Sequence, residues 1–193
     1  MHARAVTRFT PEEYLAFESG SLEKHEFYDG QILAMSGGTG RHAFVSANAS
    51  RALGNALKGR PCIVFSSDMR VLVQASGLYT YPDVSVACGP KLVGKEEATT
   101  LLNPVVLVEV LSKGTAEYDR TEKVEHYKKI PSLKAVLLVD VTARTVELVA
   151  RTARSWRRKT YEADGSFDVP GIDVAVVVAD LFEGIDLVPD KPS

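Results

Sequence analysis

The plainest pattern in the chain is the run Pro104-Val-Val-Leu-Val-Glu-Val-Leu111, where every side chain but one is apolar. A short apolar run without alternation predicts a strand buried on both faces, over 105–111. Thr10-Pro11-Glu-Glu13 predicts a helix start: Thr10 can cap, Pro11 suits the first helical position, and Glu13 completes a capping box. A short helix to about residue 18 follows. Residues 24–28 and 32–35 predict strands on either side of an Asp29-Gly30 hairpin turn, closing on the Ser36-Gly37-Gly38 break. Over 41–58 the sequence is Ala-rich, carries Phe44, Val45, Leu53 and Leu57 at helical spacing, and ends at Gly59. Strands are expected at 62–66, 69–73 and 84–88, and a polar loop at 91–100. A helix over 117–130 is stopped by Pro131. A strand at 133–139, a hairpin of 145–151 with 156–161, and a tail over 172–185 (short strand, then short helix ending near Gly184) complete the pattern. Strands interleaved with helices and hairpins predict an α/β (α+β) fold, a central mixed β-sheet flanked by helices.

Composition narrows the class. At 193 residues the chain suits a single domain over 1–193 with a sizeable core. An apolar fraction of 45% and a charged fraction of 25% are those of a soluble globular protein. The net charge of −2 supplies no global field toward nucleic acid, so such a partner would need local basic surface. Cys62 and Cys88 both lie in apolar, strand-like runs and read as separate buried thiols in a reducing compartment, although a single disulfide between them is open. Residues 1–9 hold no long apolar segment of the signal-peptide kind. No run of about eighteen apolar residues exists to span a membrane. The expectation is a cytoplasmic protein without a membrane partner.

The chemistry starts from Glu109. An unpaired carboxylate buried in such a strand costs several kcal/mol, so a proton, a basic partner or a metal ion must compensate it. About twenty-five residues earlier, Tyr81-Pro82-Asp83 leads into the apolar run Val84-Ser-Val-Ala-Cys88. Two carboxylates on neighbouring buried strands are a common divalent-metal seat. On a helical wheel of 117–130, Lys123 falls in the apolar arc of Val124, Tyr127 and Ile130, with Asp119 at its edge and Glu122, Glu125, Lys128 and Lys129 elsewhere. Lys123 is then either a snorkelling lysine or a cation held near Glu109. With Mg²⁺ or Mn²⁺ on Asp83 and Glu109, and Lys123 orienting water or stabilising developing charge, the implied reaction is phosphodiester hydrolysis.

Several stretches carry a resemblance. They are His25-Glu26-Phe-Tyr-Asp-Gly30, Tyr81-Pro-Asp-Val-Ser-Val86, Leu107-Val-Glu-Val-Leu-Ser112, Tyr118-Asp-Arg-Thr-Glu-Lys123 and Ala135-Val-Leu-Leu-Val-Asp140. In this order and spacing the chain resembles the PD-(D/E)xK nuclease superfamily, and within it the Uma-two family of restriction-endonuclease-like proteins. The superfamily places a lysine two residues after the glutamate, where this chain has Leu111. The resemblance implies that the lysine has moved to the next helix, at Lys123. It also implies a restriction-endonuclease-like core, Asp83 and Glu109 as metal ligands joined by the backbone carbonyl of Val110, and Glu26 as an additional catalytic acid. Glu26 reads equally as a strand charge paired with Lys24.

Other residues divide between ordinary and functional roles. His42 follows Gly37-Gly38-Thr-Gly40 and could touch phosphate or merely open a helix; the glycines lack the Gly-Lys-Ser/Thr of a phosphate loop. Asp68 reads as a turn residue, with a supporting acid as the alternative. Ser66 and Ser67 have no evident His/Asp partners. The run from Arg151 to Lys159, with Arg154, Trp156, Arg157 and Arg158, suits phosphate contact and base stacking, or a solvated hairpin. The resulting expectation is a Mg²⁺- or Mn²⁺-dependent endonuclease acting on nucleic acid, DNA above all, as a homodimer. The alternative is an inactive nucleic-acid-binding or protein-interaction module on the same fold.

Overall fold

The computed structural model describes residues 8–35, 37–90 and 99–189. The expected polar loop at 91–100 lies almost wholly outside the described residues, as do most of the N-terminal residues 1–9. Helix α1 (Pro11–Ser19) begins at the expected capping box: Thr10 Oγ1 accepts from the Glu13 amide, and Glu13 Oε2 accepts from the Thr10 amide at 2.8 Å. Strands β1 (His25–Tyr28) and β2 (Gln31–Ala34) pair antiparallel around Asp29 and Gly30, both at positive φ, as a two-residue hairpin requires. Helix α2 (Gly40–Ala56) follows, capped by Thr39 and burying Val45, Ala49 and Leu53.

Strands β3 (Cys62–Ser66), β4 (Arg70–Val73), β5 (Leu78–Thr80), β6 (Val84–Cys88), β7 (Thr100–Leu101) and β8 (Val106–Leu111) come next. After them lie α3 (Ala116–Tyr118), a π-helical turn (Asp119–Lys123) and α4 (Val124–Tyr127), which together form the helix expected over 117–130. The remaining elements are β9 (Ala135–Asp140), β10 (Thr145–Arg151), β11 (Trp156–Tyr161), β12 (Ser166–Val169), β13 (Val174–Val177), α5 (Val178–Phe182) and a single 3₁₀ turn (Ile185–Leu187). Strands β5, β7 and β12 had no counterpart in the pattern. The first two are only three and two residues long, too short for periodicity to register.

Among the described residues the strands form a six-stranded sheet in the order β11-β10-β9-β8-β6-β3, a five-stranded sheet in the order β2-β1-β5-β4-β7, and the pair β12-β13. The six-stranded sheet is the expected central mixed sheet: β8 and β9 run parallel and its other neighbours antiparallel. Alternation along β8 serves two cores. Val106, Val108 and Val110 pack with α2 and α5, while Leu107 and Leu111 pack with Val124 and Tyr127 of α4. Glu109 shares the parity of Leu107 and Leu111, so it faces the helix that carries Lys123.

The cysteine expectation is corrected. Cys62 and Cys88 are directly opposed in the β3–β6 register and joined by a disulfide. The apolar character of both runs hid this, because only the strand pairing brings the two residues together.

Candidate active site

The site forms where the chain passes between the two large sheets. Strand β5 belongs to one and β6 to the other, and Tyr81-Pro82-Asp83 is the crossing between them. The β6–β8 register pairs Val84 with Val108. Carried one residue further, it sets Asp83 opposite Glu109, on the same side of the sheet. Regular pairing stops there, and the Asp83 side chain takes over: Asp83 Oδ2 accepts from the Val110 amide at 2.7 Å. β1 pairs with β5 through Phe27 and Tyr79, which brings Glu26 next to Thr80. The Thr80 hydroxyl donates to Glu26 Oε1 at 2.5 Å.

Lys123 sits at the centre. Its Nζ lies 3.0 Å from Glu26 Oε1, 3.2 Å from Glu109 Oε1 and 3.5 Å from Asp119 Oδ1. It is 4% exposed, so the snorkelling alternative is set aside by an amine held among carboxylates rather than extended to the surface. Lys24 pairs with Asp68 at 2.6 Å rather than with Glu26, and Asp68 thereby takes the turn role expected of it. Tyr127 donates its hydroxyl to Glu109 Oε1, and Tyr118 reaches Glu26 Oε2 at 3.5 Å.

Three carboxyl groups thus face one buried ammonium. Burial pushes Glu109 up to about 8, the Lys123 charge opposing the rise while Asp119 and Asp83 add to it. Burial alone would lower Lys123, yet the pull of Glu109 foremost, with Glu26 and Asp119 beside it, prevails and holds it well above the usual lysine range. The ammonium is therefore the fixed charge of the cluster, and Glu109 is the member poised to trade its proton.

All five residues singled out from the sequence (Glu26, Asp83, Glu109, Val110 and Lys123) line one cavity of about 170 Å³. Asp119 and His42 line it as well. His42 Nε2 lies 3.3 Å from Asp83 Oδ1. The hydrogen bond to Asp83 holds the imidazole above its ordinary pKa against the opposing effect of burial. The sequence left His42 undecided. Its place after the Gly37-Gly38-Thr-Gly40 segment at a helix start was visible, but its contact with Asp83 depends on how α2 docks on the sheet.

The donors suit a hard divalent cation: two carboxylates and a backbone carbonyl, all oxygen. Among the described residues, no three acidic, histidine or cysteine side chains already converge as a ready-made metal cage. Glu109 is turned onto Lys123 and Tyr127, and Asp83 onto His42 and the Val110 amide. The basic run of the hairpin lies apart from the cavity lining. Arg151 stacks on Trp156 at 4.6 Å and donates to the carbonyls of Lys128, Ile130 and Leu133, a structural task. Arg157, Arg158 and Lys159 stay exposed on the edge strand β11. Among the described residues no helix is long and apolar enough to cross a membrane.

A family model for Uma2, described as "Putative restriction endonuclease", matches residues 11–177. The "Uncharacterized protein slr1290" of Synechocystis is 34% identical over 179 residues, covering 92% of this chain and 93% of its own. A second Synechocystis protein, "Uncharacterized protein sll1609", is 34% identical over 148 residues, or 76% of this chain and 84% of its own. The crystal structure of "a putative nuclease belonging to DUF820" from Anabaena variabilis superposes with a TM-score of 0.75 at 19% identity, over 90% of this chain and 97% of that one. At that identity the likeness is one of fold.

Proposed function

The chain belongs to the Uma2 family of restriction-endonuclease-like proteins, and from that premise we propose a metal-dependent endonuclease that hydrolyses phosphodiester bonds of nucleic acid, DNA above all. The observation that carries the reading is the meeting of Asp83, Glu109 and Lys123 on one cavity, two acids from adjacent strands beside an inward-turned amine.

In this reading Asp83, Glu109 and the Val110 carbonyl hold Mg²⁺ or Mn²⁺. When bound, such an ion supplies polarisation of a phosphoryl oxygen and lowers the pKa of attacking water. Glu109 gives up its proton to take part, and Tyr127 fixes one of its oxygens. Lys123 keeps its charge, orients the water and balances negative charge as the phosphorus–oxygen bond breaks. Glu26, held by Thr80 and Tyr118, keeps the amine in place from its other side. The exposed arginines and lysine of β11 are the local basic surface for phosphates that a chain of net charge −2 requires. A homodimer follows from the need to cut two strands. The cytoplasm, where DNA is met, is the location that goes with it, and the Cys62–Cys88 bond must then persist in a reducing compartment.

One observation favours a second reading, an inactive nucleic-acid-binding or protein-interaction module: Lys123 is ion-paired on three sides. The solvent-reachable cavity joining Asp83 to Glu109 speaks against it. Incubation of wild type and Asp83→Ala with plasmid and linear DNA, in Mg²⁺, Mn²⁺ or chelator, separates the two. Cleavage by wild type that needs metal and vanishes in the variant is expected. Cleavage that persists in Asp83→Ala, or metal-independent binding without cleavage, overturns the endonuclease reading.

A further inference from the structure

Resting on the endonuclease reading and deepening it, we propose that His42 is a nitrogen ligand of the cation and tilts the site toward Mn²⁺ over Mg²⁺. The imidazole stands against the Asp83 carboxylate, one of the three oxygen groups assigned to the ion, and lines the same cavity as the other two, at Glu109 and Val110. Neighbouring ligands on an octahedral ion with bonds of about 2.1 Å stand about 3 Å apart. The 3.3 Å between His42 Nε2 and Asp83 Oδ1 is close to that spacing without any movement of either element.

The ring is also aimed. Its Nδ1 edge lies against Gly38, where an added Cβ would come within 2.4 Å of that nitrogen, so the absence of a side chain at 38 lets the imidazole lie there with Nε2 turned to Asp83. The Thr39 hydroxyl accepts from the His42 amide at 3.2 Å and fixes the backbone of the first turn of α2. Among the described residues that line the cavity, His42 alone brings an imidazole. An all-oxygen set suits Mg²⁺ and Mn²⁺ alike, whereas an imidazole adds affinity for transition ions and little for Mg²⁺.

The test adds MnCl₂ or MgCl₂ to the metal-free full-length chain. It follows binding by calorimetry, and the Mn²⁺ environment by pulsed electron paramagnetic resonance, for wild type, His42→Ala and His42→Gln. Wild type should show coupling of Mn²⁺ to an imidazole nitrogen. Both variants should lose that coupling and bind Mn²⁺ about tenfold more weakly, with Mg²⁺ affinity unchanged. Mn²⁺ bound to wild type without nitrogen coupling overturns the assignment of His42 and leaves the endonuclease reading standing, as does an equal loss for both ions in the variants. Failure of wild type to bind either ion overturns both.

Discussion

Asp83 accepts a hydrogen bond from the backbone amide of Val110 at 2.7 Å, just where the ladder between β6 and β8 stops. One carboxylate thus closes the sheet and faces the cavity. The two tasks separate by substitution. Asp83→Asn keeps an oxygen for the Val110 amide while removing the charge. It should leave the denaturation midpoint nearly unmoved and abolish Mn²⁺ binding. Asp83→Ala should lose both, with a stability cost of about 1–3 kcal/mol for the amide left unpartnered. Urea unfolding beside calorimetry checks this. Equal destabilisation by Asn and Ala would show that charge, not the hydrogen bond, closes the sheet.

Lys123 carries the opposite burden. Its removal leaves Glu26, Glu109 and Asp119 in a buried pocket without their common cation. Lys123→Met keeps the length of the side chain and should cost about 3 kcal/mol, because breaking a buried pair leaves uncompensated charge. Adding Glu109→Gln to Lys123→Met should recover part of that loss, a coupling visible in a double-mutant cycle. Strictly additive effects would mean that the 3.2 Å contact carries no energy.

How far the sequence foretold this site depends on how local each signal is. Glu109 was legible because an apolar run makes one carboxylate conspicuous. Lys123 was legible because helical spacing is a local property, and the structure keeps it on the inner face. Asp119 stood only at the edge of that arc. The π-turn from Asp119 to Lys123 holds both residues buried, and such turns are often found at functional sites. No spacing rule signals such a turn. The hydroxyl of Tyr127 looked like one more core aromatic, since its bond to Glu109 needs the docking of α4 on β8. The contacts of His42 and the Cys62–Cys88 bond likewise exist only once distant elements pack.

The disulfide has a measurable consequence. It spans 26 residues and ties the edge strand β3 to β6, the strand that leads out of Asp83. Closing a loop of that size stabilises a fold by roughly 3 kcal/mol, chiefly by restricting the unfolded chain. Dithiothreitol should therefore lower the melting temperature of wild type by several degrees and leave Cys62→Ser/Cys88→Ser unmoved. If reduction leaves the wild-type midpoint where it was, the pairing of these strands contributes all of the local stability.

Glu109 sets the response to pH. Its pKa stands near 8 in the fold against 4.5 in an ordinary glutamate, so the folded state holds its proton more tightly. The sign follows from linkage: this contribution to stability is fully present below about pH 4.5 and lost as pH rises through about 8. Lys123 is also raised, from 10.5, so its contribution stays constant across that window and does not mask the slope. In chelator, wild type should lose stability between about pH 5 and 9, and Glu109→Gln should make that loss smaller, leaving the share that His42, also raised, contributes with the same sign. Metal affinity runs the other way, because the cation takes the deprotonated carboxylate. Mn²⁺ should bind more tightly at about pH 8 than at about pH 6, and its stabilising effect should grow over the range in which the metal-free fold weakens. Urea unfolding across pH, with and without Mn²⁺, reads both trends at once. Parallel profiles for wild type and Glu109→Gln would remove Glu109 as the group that links proton to metal.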